Sequence, residues 1–238
     1  MSSLPVLAFN KSDRGVMSFD ISTLPDLSFF TLRVNNAEIK KSKHHYTLSY
    51  QGKQWMTLNQ THNIQAKELY SSYDQAYGDV VLSGLGFGLL ALWIASKPGV
   101  TSVRVYEKNY DIITLFRANN PLAQIAIINQ DINDVITSCD CLFLDHYEFE
   151  STEERLQNIG KIRAKIEHKT FWAWGLERDH AYTVYNLTQE QCYGMHLTLH
   201  LIDFRERWSE LGLDIPAPQK LNEYVYTFFD KVGYTFLE

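Results

Sequence analysis

Cysteine is scarce in this chain, with three in 238 residues: Cys139, Cys141 and Cys192. An odd number cannot close into a full disulfide set. One residue separates Cys139 from Cys141, not the two of a zinc or redox knuckle. A disulfide framework and a cysteine-based metal centre are not expected, and a reducing, cytoplasmic setting is. Long apolar runs are missing too. The most apolar stretch, Val80–Ala95, holds three glycines and falls short of the ~20 residues of a membrane span. The opening residues, MSSLPVLAFNKSDRG, have neither the charged start nor the apolar core of a secretory signal. No membrane partner is therefore expected. An excess of positive charge is also absent: 22 Lys and Arg stand against 28 Asp and Glu, for a net charge of −6. Without a basic field, bulk nucleic acid is a poor partner, and a small-molecule or protein partner is the expectation. Internal repeats and low-complexity tracts are lacking, which excludes fibrous and disordered classes.

What is present is the composition of a globular protein, 45% hydrophobic, enough to bury a core. The length allows one large domain, or one domain with a small appendage. Strand signals dominate the first 62 residues. Leu27–Val34 and His45–Tyr50 are short and rich in aromatic and β-branched residues. A glycine turn at Gln51-Gly52-Lys53 then leads into Gln54–Leu58, which predicts a hairpin. Lys40, Lys41, Lys43, His44 and His45 read as a solvated, edge-protecting strand face. Residues 1–62 are thus expected to form a small β-rich unit, and residues 63–238 the main domain.

From Ile64 onward, strands and helices alternate. Strands are expected at Asp79–Ser83, Ser102–Tyr106, Ile125–Asn129, Cys141–Leu144 and Thr170–Gly175. Helices are expected at Gly88–Lys97, Tyr110–Ala118 and Thr152–Ile166. This pattern predicts an α/β fold with a mostly parallel sheet covered on both faces. Tyr224–Phe229 and Tyr234–Leu237 read as an antiparallel hairpin closing it.

The sharpest motif is Gly84-Leu85-Gly86-Phe87-Gly88, between a hydrophobic strand and a helix. Glycines there permit a tight turn and close approach of a ligand to the main chain. The G-x-G-x-G spacing differs from the G-x-G-x-x-G of dinucleotide sites, which favours an adenosyl ligand over NAD. Glu107, 23 residues after Gly84, ends the next strand and is placed to accept hydrogen bonds from both ribose hydroxyls. Asp131 follows the third strand, where it can hold the adenine amine. Asp145 follows the fourth. All four features fall at carboxyl ends of strands, where open α/β sheets bind ligands.

The segments GDVVLSGLGFGLL, VRVYEKN, INQDIND and CDCLFLD resemble class I S-adenosylmethionine-dependent methyltransferases, especially the spermidine synthase-like branch, over roughly residues 68–177. The resemblance implies a Rossmann-like sheet ending in an antiparallel strand pair, preceded by a β-hairpin unit. It implies S-adenosylmethionine as cofactor. Gly84, Gly86 and Gly88 would line its methionine and ribose parts, Glu107 its ribose, and Asp131 its adenine. Asp145 would face the reaction centre. The chain departs from spermidine synthases at several positions. Leu85 and Phe87 interrupt their Gly-Gly-Gly-Asp-Gly loop. His146-Tyr147-Glu148 replaces a Ser/Thr-Asp-Pro run, and Tyr70-Ser71-Ser72 replaces Tyr-His-Glu. The polyamine-binding acids are thus mostly missing.

Methyl transfer is therefore the leading expectation. Aminopropyl transfer and a non-catalytic binding or structural module on the same fold are the alternatives. Methyl transfer needs positioning, and a base only where the acceptor must lose a proton. Asp145 and His146 are the candidate catalytic pair, with His146 the better base by intrinsic pKa. Tyr147 and Glu148, with Tyr70 and Tyr73 from the helix before the glycine strand, are candidate substrate contacts. Trp172 and Trp174, two apart on a strand, read as core packing or as a pocket wall. His196, His200 and Asp203 share a helical face, but no HExxH motif accompanies them and no metal is expected. The oligomeric state is left open, a homo-oligomer included.

Overall fold

The computed structural model describes residues 10–11, 31–43, 45–59, 73, 75–121, 123, 125–145, 152–176, 208–209 and 234–235. The chain divides into two compact units, Asp20–Trp174 on one side and Met1–Phe19 with Gly175–Glu238 on the other. In the latter, strand β1 (Asn10–Lys11) pairs antiparallel with the tail residues Tyr234 and Thr235. Tyr234 and Thr235 thus pair with the chain's beginning. The expected partner Tyr224–Phe229 lies outside the described residues.

Asp20–Trp174 contains two sheets. The first is an antiparallel meander of β2 (Leu32–Val34), β3 (Ala37–Lys41), β4 (His45–Tyr50) and β5 (Lys53–Asn59), paired in that order. Both of its described tight turns use positive φ, at Asn35 (49°) and at Gln51-Gly52 (51° and 76°). Such turns match the twist of the flanking strands. Ala37, Ile39, Tyr46 and Leu48 form its buried face. The described lysines of the basic run, Lys40, Lys41 and Lys43, are exposed, and Lys40 Nζ lies 2.9 Å from Glu38. Strand β3 pairs with β4 along its whole length but with β2 only over Ala37–Ile39. The charged residues conceal a period-two pattern whose apolar members are only Ala37 and Ile39.

The second sheet is parallel. Its strands are β6 (Gly78–Ser83), β7 (Val100–Tyr106), β8 (Ala126–Ile128), β10 (Cys141–Leu144) and β12 (Thr170–Ala173). Two short strands, β9 (Thr137–Ser138) and β11 (Ile166–Glu167), pair with each other beside it. Val80, Val81, Leu82 and Ser83 of β6 are at most 1% exposed, and all four residues of β10 are at 0%. This is the burial expected of strands covered on both faces. Helix α1 (Leu89–Ala95) follows β6, α2 (Tyr110–Asn119) follows β7, and α3 (Thr152–Arg163) follows β10. Asn109 starts α2 by accepting the Asp111 and Ile112 amides on its side chain. The meander docks on this helix. Asp111 accepts from Asn35 Nδ2 at 2.9 Å, and from the Asn36 amide and Nδ2 at 3.4 Å each.

The strand order is β12-β10-β6-β7-β8. The chain therefore builds outward from β6 in one direction, then returns to build in the other. The reversal point lies between β6 and β10. The proposed join near residue 62 falls in a stretch outside the described residues.

Candidate functional site

One rung crosses the whole parallel sheet. Leu144 is in register with Ala173 on one side and Ser83 on the other, Ser83 with Tyr106, and Tyr106 with Ile128. The next residue on each strand forms a row along the carboxyl edge: Trp174, Asp145, Gly84, Glu107, Asn129. Backbone bonds lock it. The Trp174 amide donates to the Leu144 carbonyl at 2.9 Å, Asp145 to Ser83 at 3.0 Å, Gly84 to Tyr106 at 2.9 Å and Glu107 to Ile128 at 3.0 Å. Neighbouring places are about 4.8 Å apart, the spacing of paired strands. Asp145 and Gly84 thus flank the point where strand order reverses, which is where open α/β sheets bind ligands.

The glycine loop hangs from this row. Gly84, Gly86 and Gly88 all have positive φ, at 82°, 49° and 76°. At Gly88 a Cβ would fall within the Phe116 ring, so this glycine lets α1 and α2 close on each other. At Gly86 it would lie 2.6 Å from Met56 Sδ, so strand β5 of the meander approaches the loop there. Leu85 and Phe87 are 6% and 4% exposed. Their bulk is packed into the protein and not held out over the loop.

Glu107 is the best-defined acid of the row. It is 8% exposed, and each carboxylate oxygen accepts a main-chain amide: Oε2 from Leu85 at 2.9 Å, Oε1 from Asn109 at 2.8 Å. Burial pushes its carboxyl above the usual range, against the opposing pull of those two amides. A carboxylate offers about four lone pairs, so two stay available to a ligand. Asp131 starts a 3₁₀ turn (Ile132–Asp134), its Oδ1 accepting the Asn133 amide and Nδ2 at 2.9 Å each. It stands two residues past Asn129, beyond the Glu107 end of the row.

Of the other expected site residues, Tyr73 and the tryptophans are described and the rest lie outside the described residues. Tyr73 lies five residues before β6 begins, at the opposite end of that strand from the loop. Its ring stacks on Trp93 with centroids 4.3 Å apart, and its carbonyl accepts from Lys97 Nζ at 2.7 Å. Helical spacing put Tyr73 near the glycine strand in sequence, and in the structure its ring packs on α1. Tyr70, His146, Tyr147 and Glu148 lie outside the described residues, as do His196, His200 and Asp203. Trp172 is packed edge-on against Phe143, with centroids 6.3 Å apart. Trp174, by contrast, takes the last place of the row, with the Arg155 guanidinium 6.0 Å from its ring. Strand alternation alone had paired the two tryptophans. The end of β12 at Ala173 separates them. Among the described residues no cluster of His, Cys, Asp and Glu could hold a metal ion, and no helix is long and apolar enough to cross a membrane.

No known protein family matches the chain, and no curated protein does. Solved structures overlap it in part. A ribosomal protein L11 methylase from Lactobacillus delbrueckii subsp. bulgaricus is 21% identical with a TM-score of 0.36, over 44% of this chain and 56% of that one. A magnesium protoporphyrin IX methyltransferase from Synechocystis PCC 6803, solved with bound SAM, is 16% identical with a TM-score of 0.35, over 43% and 52%. The N-methyltransferase NodS from Bradyrhizobium japonicum WM9 is 14% identical with a TM-score of 0.34, over 42% and 59%. The chain spans about half the length of these structures.

Proposed function

We propose that this chain binds S-adenosylmethionine along the carboxyl edge of its parallel sheet and transfers a methyl group to a small-molecule or protein acceptor. The observation that carries the reading is the row itself. Asp145, Gly84 and Glu107 each stand one residue past the same rung, in adjacent places across the reversal of strand order. The residues fit an adenosyl group. Gly84 and Gly86, both at positive φ, hold the loop in a tight left-handed turn that brings its main chain to the sheet edge, with Met56 packed against Gly86. Glu107 keeps acceptor capacity for a vicinal diol while its two backbone bonds hold it still. Asp131, beyond the same end, would take the adenine amine.

When bound, the cofactor supplies an electrophilic methyl carbon. Asp145 stands beside Gly84 on the acceptor side, where a carboxylate orients a proton-bearing nucleophile and stabilises positive charge that develops on it. His146, its neighbour in sequence, would serve as base for an acceptor that must lose a proton.

Calorimetric titration with S-adenosylmethionine and S-adenosylhomocysteine tests the reading. Heat of binding is expected for both, abolished in Gly86→Arg and retained in Lys41→Ala. No heat at millimolar ligand would sink it. Product analysis then separates the chemistries. S-adenosylhomocysteine marks methyl transfer, whereas methylthioadenosine from the decarboxylated cofactor and a polyamine would replace it with aminopropyl transfer.

A further inference from the structure

Asn129 occupies the outermost place of the row, next to Glu107, where the sequence assigns it only the end of a strand. Its side-chain amide is committed to main chain. Nδ2 donates to the Glu107 carbonyl and to the Lys108 carbonyl, both at 3.0 Å. Those carbonyls belong to the turn that delivers the Asn109 amide to Glu107 Oε1 at 2.8 Å. The Glu107 amide is committed one residue before Asn129, to the Ile128 carbonyl at 3.0 Å. Residues 128 and 129 therefore grip Glu107 on both sides of its Cα.

Asn129 itself is exposed. Water could replace its two bonds if the amide were lost, so they contribute little net stability. What water cannot reproduce is the shape of the turn. Glu107 is useful to a ligand only while Leu85 and Asn109 each take one lone pair and hold the carboxylate in one orientation. A turn free to rotate would let the carboxylate swing off that geometry.

We infer that Asn129 is a positioning residue for Glu107, holding residues 107–109 so that the carboxylate presents two acceptors to a vicinal diol. This rests on the adenosyl reading above. Asn129 touches no reacting group. Its effect is confined to the hydroxyls that Glu107 would receive.

The test uses the full chain and two ligands that differ only in those hydroxyls, adenosine and 2′,3′-dideoxyadenosine, each competed against S-adenosylhomocysteine. Wild type is expected to prefer adenosine by roughly 10- to 100-fold, the worth of hydrogen bonds to a charged group. In Glu107→Gln the preference collapses. In Asn129→Asp and Asn129→Ala it falls several-fold, while dideoxyadenosine affinity and melting temperature stay at wild-type values. Asn129→Ala covers the case in which the new charge of Asn129→Asp disturbs folding. An unchanged preference, or an equal loss for both nucleosides, overturns the inference. A wild-type chain that does not bind S-adenosylhomocysteine overturns the adenosyl reading itself. Wild-type binding with an unaltered preference in the variants overturns only the role of Asn129.

Discussion

The Glu107 carboxylate reaches the Leu85 amide at 2.9 Å, joining the end of one parallel strand to the loop that leaves its neighbour. With the second oxygen on the Asn109 amide, Glu107 fastens the glycine loop and the start of α2 together. The same acid thus shapes the loop and stands beside Gly84 on the row at the carboxyl edge.

Glu107→Gln keeps the shape but turns an NH₂ toward one of those two amides. A buried donor left unsatisfied costs about 1–3 kcal/mol. Urea unfolding at pH 7 is expected to show a loss in that range. The pH dependence has a definite sign. Burial raises the Glu107 pKa in the folded state, so its contribution is fully present below the unfolded value and is lost as pH rises through the folded one. The stability gap between wild type and Glu107→Gln should therefore be wider at pH 4 than at pH 8. A gap that widens with rising pH would refute the assignment.

Gly88→Ala is expected to be the most damaging small substitution in the loop. The new Cβ collides with the Phe116 ring, and the φ of 76° disfavours any L side chain. Overpacking and left-handed backbone together cost about 2–5 kcal/mol. Adding Phe116→Leu should recover part of this, since it relieves the collision but not the backbone cost. Thermal melts of the single and double variants separate the two contributions.

At the other end of the sheet, Asp140 accepts from Lys169 Nζ at 2.7 Å and from the Asp79 amide at 2.9 Å. Lys169 first, then the amide, hold its carboxyl below the usual carboxylate range. A depressed folded pKa stabilises above the unfolded value, and the effect is lost as pH falls through the folded one. Melting temperature should fall more steeply below about pH 4 in wild type than in Asp140→Asn. Parallel curves for the two proteins would show that Asp140 plays no such part.

Cys139 should be nearly inert. Burial pushes its thiol up to about 11, outweighing the nearby Arg104. A free thiol near 8.5 has roughly 100-fold more thiolate at pH 8. Peptide mapping after iodoacetamide treatment should show Cys139 alkylated at least ~50-fold more slowly in the native chain than in urea. Comparable rates would contradict the raised thiol pKa.

Much of the site was legible because its residues are tied to local signals. A glycine loop between strand and helix, and acids at strand ends, follow from short-range pattern. Glu107 and Asp145 needed only the alternation of elements to be placed at carboxyl ends. For Tyr73, helical spacing reports a face and not which end of the sheet that face adjoins, so its neighbours on α1 came only from the fold. Strand β3 was hidden because lysines mask its two apolar residues.

Asn129 and Trp174 belong to a different class. Trp174 read only as packing or a pocket wall and Asn129 only as a strand end, and each enters the row through strand order and register. Local pattern established the alternating α/β units, the glycine turn and the acids that follow the strands, because those depend on periodicity and backbone freedom within a few residues. Long-range pairing established which strands are neighbours, and so that Asp145, Gly84 and Glu107 stand side by side across the reversal point. No spacing in one dimension encodes that adjacency, since it arises from hydrogen bonds between segments about 20 to 60 residues apart.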